Sequence, residues 1–201
     1  MCAAPVPPRL ILGSASPRRS ELLAQIGITP AALRPADIDE TPHRGERPDD
    51  YVRRMASEKA EALPLADDEA LLCADTTVSV GRLILGKPSD RDEAARFMQL
   101  MSGRRHRVLT AVALRYAGRT RLRLVETKVR MRPIDAPSLA RYLDVGDWQG
   151  KAGGYAIQGA AATFIPWIQG SFSAVVGLPL AETAAMLAAI GIHPSRDGDH
   201  I

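Results

Sequence analysis

Apolar and polar positions along this chain switch repeatedly between a period of two and a period near 3.6, so strands and helices alternate. Arg9 to Leu12 reads as a first strand, followed by the small residues Gly13, Ser14, Ala15 and Ser16. Ser16 and Pro17 then predict a helix start, running to about Ile26 and stopped at Gly27. A second helix is expected from Asp49 or Asp50 through Leu63, and a short apolar strand from Leu71 to Ala74 that breaks at Asp75. Thr77 to Leu85 reads as a hairpin turning at Gly81-Arg82. Ser89 is the expected cap of a helix over Asp90 to Met101, with Asp92 as its capping-box partner.

Val108 to Tyr116 and Thr120 to Met131 predict two long strands joined at Ala117-Gly118. The apolar phase of the second slips between Leu124 and Val125, which predicts a bulge or a change of buried face. A helix over Pro137 to Val145 leads into a glycine-rich loop, GDWQGKAGGYAIQG. A late hairpin is expected from Thr163–Ile168 and Ser171–Val176, and a closing helix over Leu180 to Ile190. This alternation predicts an α/β fold. Residues 9–193 are expected to form one domain, with residues 1–8 and 194–201 as flexible termini.

Composition narrows the class. With 201 residues, 46% of them apolar, the chain can bury one substantial core. A net charge of +3 is too small to imply nucleic acid without a localised patch, and no nucleic-acid partner is expected. Cys2 and Cys73 make neither a metal spacing nor a disulfide framework, which favours a reducing compartment. The proline-rich N-terminus lacks the apolar core of a signal peptide, and no apolar run approaches a membrane span. A soluble, cytoplasmic protein is the expectation.

Several residues stand out chemically. Gly13 to Ser16 allow close backbone approach, and the helix start beyond them presents free N–H groups to an anion. Arg18 and Arg19 stand at its mouth, where guanidinium groups can clasp phosphate oxygens. The same residues equally describe a capped helix with two surface arginines. Lys59 falls on the apolar stripe of Val52, Met55, Ala56 and Leu63, where an amine needs a carboxylate or phosphate partner unless it snorkels to solvent. Asp75 closes an apolar strand, as a metal ligand, a general base or a turn cap.

Glu40 lies in an acidic group with Asp37 and Asp39, oxygen ligands of the kind Mg²⁺ or Mn²⁺ takes, or a solvated loop. Lys87 is held in extended backbone by Pro88. Gln158 ends the glycine loop, and its amide can both donate to and accept from a base edge, although most loop glutamines are surface. The four histidines have no ligand spacing. Neither a Gly-x-Ser-x-Gly elbow nor a Walker loop is present.

Taken in order, LILGSASPRRSELLAQIGI, ADIDE, YVRRMASEKA, CADTTV, GKP, SGRRHRVLTAVAL, GKAGGYAIQG and GSFSAVVGLPLAET resemble the segments of the Maf family, from about Leu10 to Leu187. The resemblance implies an inosine-triphosphatase-like mixed sheet in two lobes around a deep cleft, often in a homodimer. It implies a divalent-metal-dependent pyrophosphatase that converts a nucleoside triphosphate to the monophosphate. Carried over, Ser14, Arg18 and Arg19 resemble the phosphate-binding loop, and Lys59 and Lys87 the cleft lysines. Glu40 and Asp75 resemble the cleft carboxylates that hold the metal, with Asp75 as proton acceptor.

Arg18, Thr76 and Gln158 fit the dTTP/UTP branch, whereas the 7-methyl-GTP branch carries Trp at the first of these positions. Gly86 and Gly150 depart from the acidic residues usual before Lys-Pro and Lys-Ala-Gly, which keeps a broad-specificity enzyme open. The alternative of another class is a non-catalytic nucleotide or nucleic-acid binding regulator of cell division. It would need the phosphate cradle but not Asp75 and Glu40 together.

Overall fold

A computed structural model describes residues 6–194, so the expected terminal arm and tail lie largely outside the described residues. The first strand, β1 (Arg9–Leu12), and the first helix, α1 (Pro17–Gln25), fall where the local signals put them. Ser16 takes the N-cap position with extended backbone, although its side chain makes no capping hydrogen bond. A two-residue strand, β2 (Ala32–Leu33), follows, and α2 spans Pro48–Ala62. Val52, Met55, Ala56 and Ala60 on α2 are fully buried. Lys59 shares their face, as its position on the apolar stripe predicts.

The strand expected to end at Ala74 does not end there. β3 runs unbroken from Glu69 to Val80, through Asp75-Thr76-Thr77. It pairs antiparallel with β5 (Arg105–Tyr116) over Leu71 to Ser79, so backbone pairing carries the chain across the polar residues. β4 (Leu83–Leu85) folds back on the end of β3, and α3 spans Arg91–Met101. Asp90 rather than Ser89 caps α3, accepting from the Glu93 backbone N–H at 2.7 Å. Glu93, not Asp92, completes the motif: its carboxylate accepts from the Ser89 N–H at 2.8 Å.

β6 (Arg119–Arg130) pairs with β5 in constant register through Leu124 and Val125, so there is no bulge. The buried face changes instead. Leu122 and Leu124 pack on the α2 side, whereas Val129 belongs to a different cluster on the opposite face. Beyond α4 (Ala136–Val145) and the glycine loop, the expected late hairpin is corrected. Only β7 (Trp167–Gln169) is a strand, paired with β6 at Lys128–Arg130. Phe172–Val176 is a short helix, α5, because Ser171 accepts from the Ala174 N–H at 3.2 Å and caps it. The chain closes with α6 (Leu180–Ala188).

The seven strands make one mixed sheet ordered β2-β1-β3-β5-β6-β7, with β4 also on β3. The neighbours of β3 on one edge explain the cleft. β1 covers Glu69 to Leu72 and β4 covers Val78 to Val80. Between them, residues 73–77 pair with β5 alone among the described strands. The sheet therefore has a notch, with core clusters on both faces on one side and a third cluster around Val78, Met98 and Phe164 on the other.

Close packing holds the rim of the notch. A Cβ added to Gly13 would run into Cys73 Sγ, with Leu71 and Leu63 also in contact. Gly13→Ala is expected to destabilise the protein by about 1–3 kcal/mol through overpacking. Thermal unfolding checks this, and Cys73→Ala in the same chain should recover part of the loss. Gly153 is constrained twice, by a φ of +68° and by Val78 where its Cβ would sit. Its N–H donates to the Gly86 carbonyl at 2.9 Å, so the glycine loop docks on the end of β4.

Candidate active site

The notch opens into a cavity of about 380 Å³. Part of its lining is charged. Arg18 and Arg19 enter from α1, which begins just beyond β1, and Lys87 enters from just beyond β4. Lys59 reaches in from α2, and Asp75 and Thr76 stand on the bare stretch of β3. Apolar lining comes from Val78, Val108, Tyr155, Ala156, Val175 and Val176. Gln158 lines the cavity from the glycine loop.

A chain of alternating charge runs through Asp75, Lys59, Glu40 and Lys87. Lys59 Nζ lies 2.7 Å from Asp75 Oδ1 and 2.7 Å from Glu40 Oε1. Lys87 Nζ reaches Glu40 Oε2 at 3.1 Å. Burial works against the Lys59 charge, but Asp75 and Glu40 more than offset it and hold its pKa above the usual lysine value. Burial likewise works against Glu40, while Lys59 and then Lys87 hold its carboxyl below the usual carboxylate range. Among the described residues, Asp75 Oδ2 has only a long contact, 3.4 Å, from Thr77 Oγ1, so one carboxylate oxygen stays available to the cavity.

The arginines are placed differently. Arg19 is pinned: its Nε donates to the Gly177 carbonyl and an NH to Ser14 Oγ, both at 2.9 Å. Ser14 is buried, and its Oγ accepts from Arg19 and from the Ser16 N–H at 3.2 Å, so it orients Arg19. Arg18 is half-buried, with burial opposing its charge and Asp147 and Glu21 supporting it. Glu40 sits at the rim, reaching the site through the two lysines.

Some wall residues carried no signal in the sequence. Lys151 lines the cavity beside Gly150, in a loop without periodicity. Tyr155 is fixed from below by His106, whose Nε2 is 2.7 Å from the phenol oxygen, and burial pushes His106 down to about 4. Thr110 lies 3.1 Å from Thr76 Oγ1 and donates to the Ala174 carbonyl at 2.7 Å, tying β5 to α5. A histidine four residues ahead of Thr110, on the same strand face, was the available hint, but its partners are far away in sequence.

Comparison with known proteins was decisive. The family described as Maf-like protein matches residues 9–190. The chain belongs to the Maf family. Its curated relatives include a dTTP/UTP pyrophosphatase of Cereibacter sphaeroides, 59% identical over 91% of this chain and 95% of that one. Proteins of the same description from Roseobacter denitrificans and a Ruegeria species are each 58% identical, covering 90% and 93% of this chain and 96% and 97% of theirs. One solved structure, a nucleoside-triphosphatase / dITP/XTP pyrophosphatase from Mycobacterium abscessus, is 17% identical, with a TM-score of 0.38 over 63% of this chain and 76% of that one.

In this Maf chain, no group of three or more His, Cys, Asp or Glu side chains could hold a metal among the described residues. Asp75 and Glu40, two hard carboxylates facing each other across Lys59, remain as donors. Mg²⁺ or Mn²⁺ binds through one or two carboxylates together with substrate phosphates and water, and Asp75 Oδ2 is the oxygen of this pair without an ammonium partner among the described residues.

Proposed function

We propose that this chain hydrolyses nucleoside triphosphates, dTTP and UTP foremost, to the monophosphate and pyrophosphate, with residues 9–193 acting as one catalytic unit. The observation that carries the reading is the chain of charge Asp75–Lys59–Glu40–Lys87 beside a cavity lined by Arg18 and Arg19 as well as by apolar side chains. Triphosphate oxygens suit the charged lining and a nucleobase the apolar lining. The names of the relatives point to the same substrates.

In this reading Asp75 Oδ2 accepts a proton from water while Lys59 holds Oδ1 and fixes the carboxylate. The water oxygen bonds to the α-phosphorus, the bond to the bridging oxygen breaks, and pyrophosphate leaves with that oxygen. Arg18, Arg19 and Lys87 neutralise the charge that builds on the leaving group. Asp75 and Glu40 would hold a divalent cation, which supplies Lewis-acid polarisation of the phosphoryl group when bound. The described residues contain no helix long and apolar enough to cross a membrane, in keeping with a cytoplasmic nucleotide pool.

The test is pyrophosphate release from a panel of canonical and modified nucleoside triphosphates, with Mg²⁺, with Mn²⁺ and with EDTA. Metal-dependent release led by dTTP and UTP supports the proposal. Nucleotide binding without release from any substrate replaces it with a sensor. Gln158→Ala is expected to compress the ranking of bases about tenfold, the scale of one lost base-edge hydrogen bond, while changing kcat less. An unchanged ranking removes Gln158 from base reading.

A further inference from the structure

Glu40 lies in residues 35–47, which form neither helix nor strand. Beyond Arg34, whose N–H donates to the Leu12 carbonyl, the N–H groups of this segment make only local hydrogen bonds among the described residues. Thr41 N–H bonds to Asp39 Oδ1 and Glu46 N–H to the His43 carbonyl. Among the described residues, the hydrogen bonds of residues 35–46 to the body of the protein, apart from those of Glu40's own carboxylate, come from two side chains one helical turn apart on α2. The Tyr51 hydroxyl donates to the Glu40 carbonyl at 2.8 Å. Arg54 forks onto both oxygens of Glu46, at 2.7 and 2.8 Å, and donates to the Thr41 carbonyl at 3.1 Å.

The Arg54 guanidinium also lies 5.6 Å from the centre of the Tyr51 ring, and Glu58 flanks its other side. These contacts are well protected: the Arg54 side chain is 19% exposed and that of Glu46 is 9%. Arg54 holds the Glu46 carboxyl down to about 2, so the pair stays charged across the neutral range. Lys59, which receives Glu40, stands on the same helix eight residues beyond Tyr51. One rigid helix therefore presents both the anchors of the segment and the ammonium that its carboxylate must meet.

We infer that Tyr51 and Arg54 are positioning residues, which fix the irregular segment to α2 and so set Glu40 against Lys59 and Lys87. The inference deepens the proposed catalytic role of Glu40 and rests on that reading. Neither side chain belongs to the cavity wall. A carboxylate on an irregular segment otherwise samples many placements, and a displacement of about 1 Å in a catalytic group can cost up to 10²-fold in rate.

The experiment uses the full chain and four proteins: wild type, Tyr51→Phe, Glu40→Gln and the double variant. Amide exchange across residues 35–46, kcat and KM for dTTP, and melting temperature are measured for each. Tyr51→Phe keeps the ring and removes one hydrogen bond. It is expected to speed exchange in the segment and to lower kcat about 5- to 20-fold, with KM changing less than twofold. Melting should stay near that of wild type.

The decisive comparison is the double variant, which should be no slower than Glu40→Gln alone, because a residue acting through Glu40 has nothing left to position. Arg54→Lys, which keeps the charge and loses the fork, should behave like Tyr51→Phe. A Tyr51→Phe penalty that multiplies in full onto Glu40→Gln, or unchanged exchange in the segment, overturns the inference. Glu40→Gln with wild-type turnover overturns the role of Glu40 and the inference with it. If wild type releases no pyrophosphate at all, the proposed function fails separately, and amide exchange alone decides the anchoring.

Discussion

Asp75→Asn is expected to lower kcat for pyrophosphate release by at least about 10³-fold, with KM changed little. General-base catalysis accounts for about 10²–10⁴ of such a loss, and the altered charge beside a phosphoryl group adds an electrostatic share. Asparagine has nearly the shape of aspartate, and its oxygen can still accept from Lys59 Nζ, which lies 2.7 Å from Asp75 Oδ1. Glu40 remains to balance that ammonium. The variant should therefore fold with the same circular dichroism and melt within several degrees of wild type. Steady-state release assays beside thermal unfolding separate the two effects. A variant that melts like wild type and still turns over would remove Asp75 as proton acceptor.

Much of this arrangement was legible in the chain because it is encoded locally. Ser16-Pro17 and Gly27 bracket α1 by backbone chemistry that needs no tertiary partner. The stripe on α2 placed Lys59 among buried residues from spacing alone, and the phase slip in β6 marked the real change of face. The errors fall where distant contacts overrule local propensity. Asp75-Thr76-Thr77 reads as a strand end, yet it lies in the middle of β3 because β5 supplies a full ladder of partners. Ser171 to Val176 reads as a strand from its residue types. The Ser171 cap, the Ser171 N–H donating to Thr127 Oγ1 at 3.0 Å and the Thr110 bond to the Ala174 carbonyl make it a helix.

The site divides in the same way. Lys59 announced that it needed an anion, but spacing could not say which, since Asp75 lies on another element and Glu40 on a segment with no periodicity. Ser14 sits in the phosphate-loop segment, and spacing could not show that its hydroxyl accepts from Arg19. The notch itself was invisible to pattern reading. It arises because β1 ends at Leu12 and β4 begins pairing only at Val78, a mismatch of neighbours that exists only once the sheet is assembled.

Lys59→Met carries the second large effect, and it should appear in both rate and stability. Methionine can follow the same path among Val52, Met55 and Ala56 but leaves Asp75 and Glu40 facing each other without the ammonium. Two carboxylates in a partly buried site repel, and removing one partner of a buried pair costs about 3–5 kcal/mol, with Lys87 and any bound cation reducing that figure. In EDTA, the variant should melt well below wild type, by roughly 6–20 °C.

The pH dependence of that deficit follows from the shifts. Glu40 has a folded pKa below its unfolded value, so its contribution to wild-type stability is present above the usual carboxylate range and fades as pH falls through the lowered value. Lys59 has a folded pKa above its unfolded value, so its contribution is present below the usual lysine value and fades as pH rises through the raised one. The gap between the two melting curves should therefore be widest across the neutral range and narrow toward acid, as protonation relieves the repulsion. A gap independent of pH between the neutral range and pH of about 3 would mean that Lys59 stabilises by packing its stem and not by its charge. In that case turnover of Lys59→Met should remain near wild type, whereas the charge chain requires a loss of at least about 10²-fold.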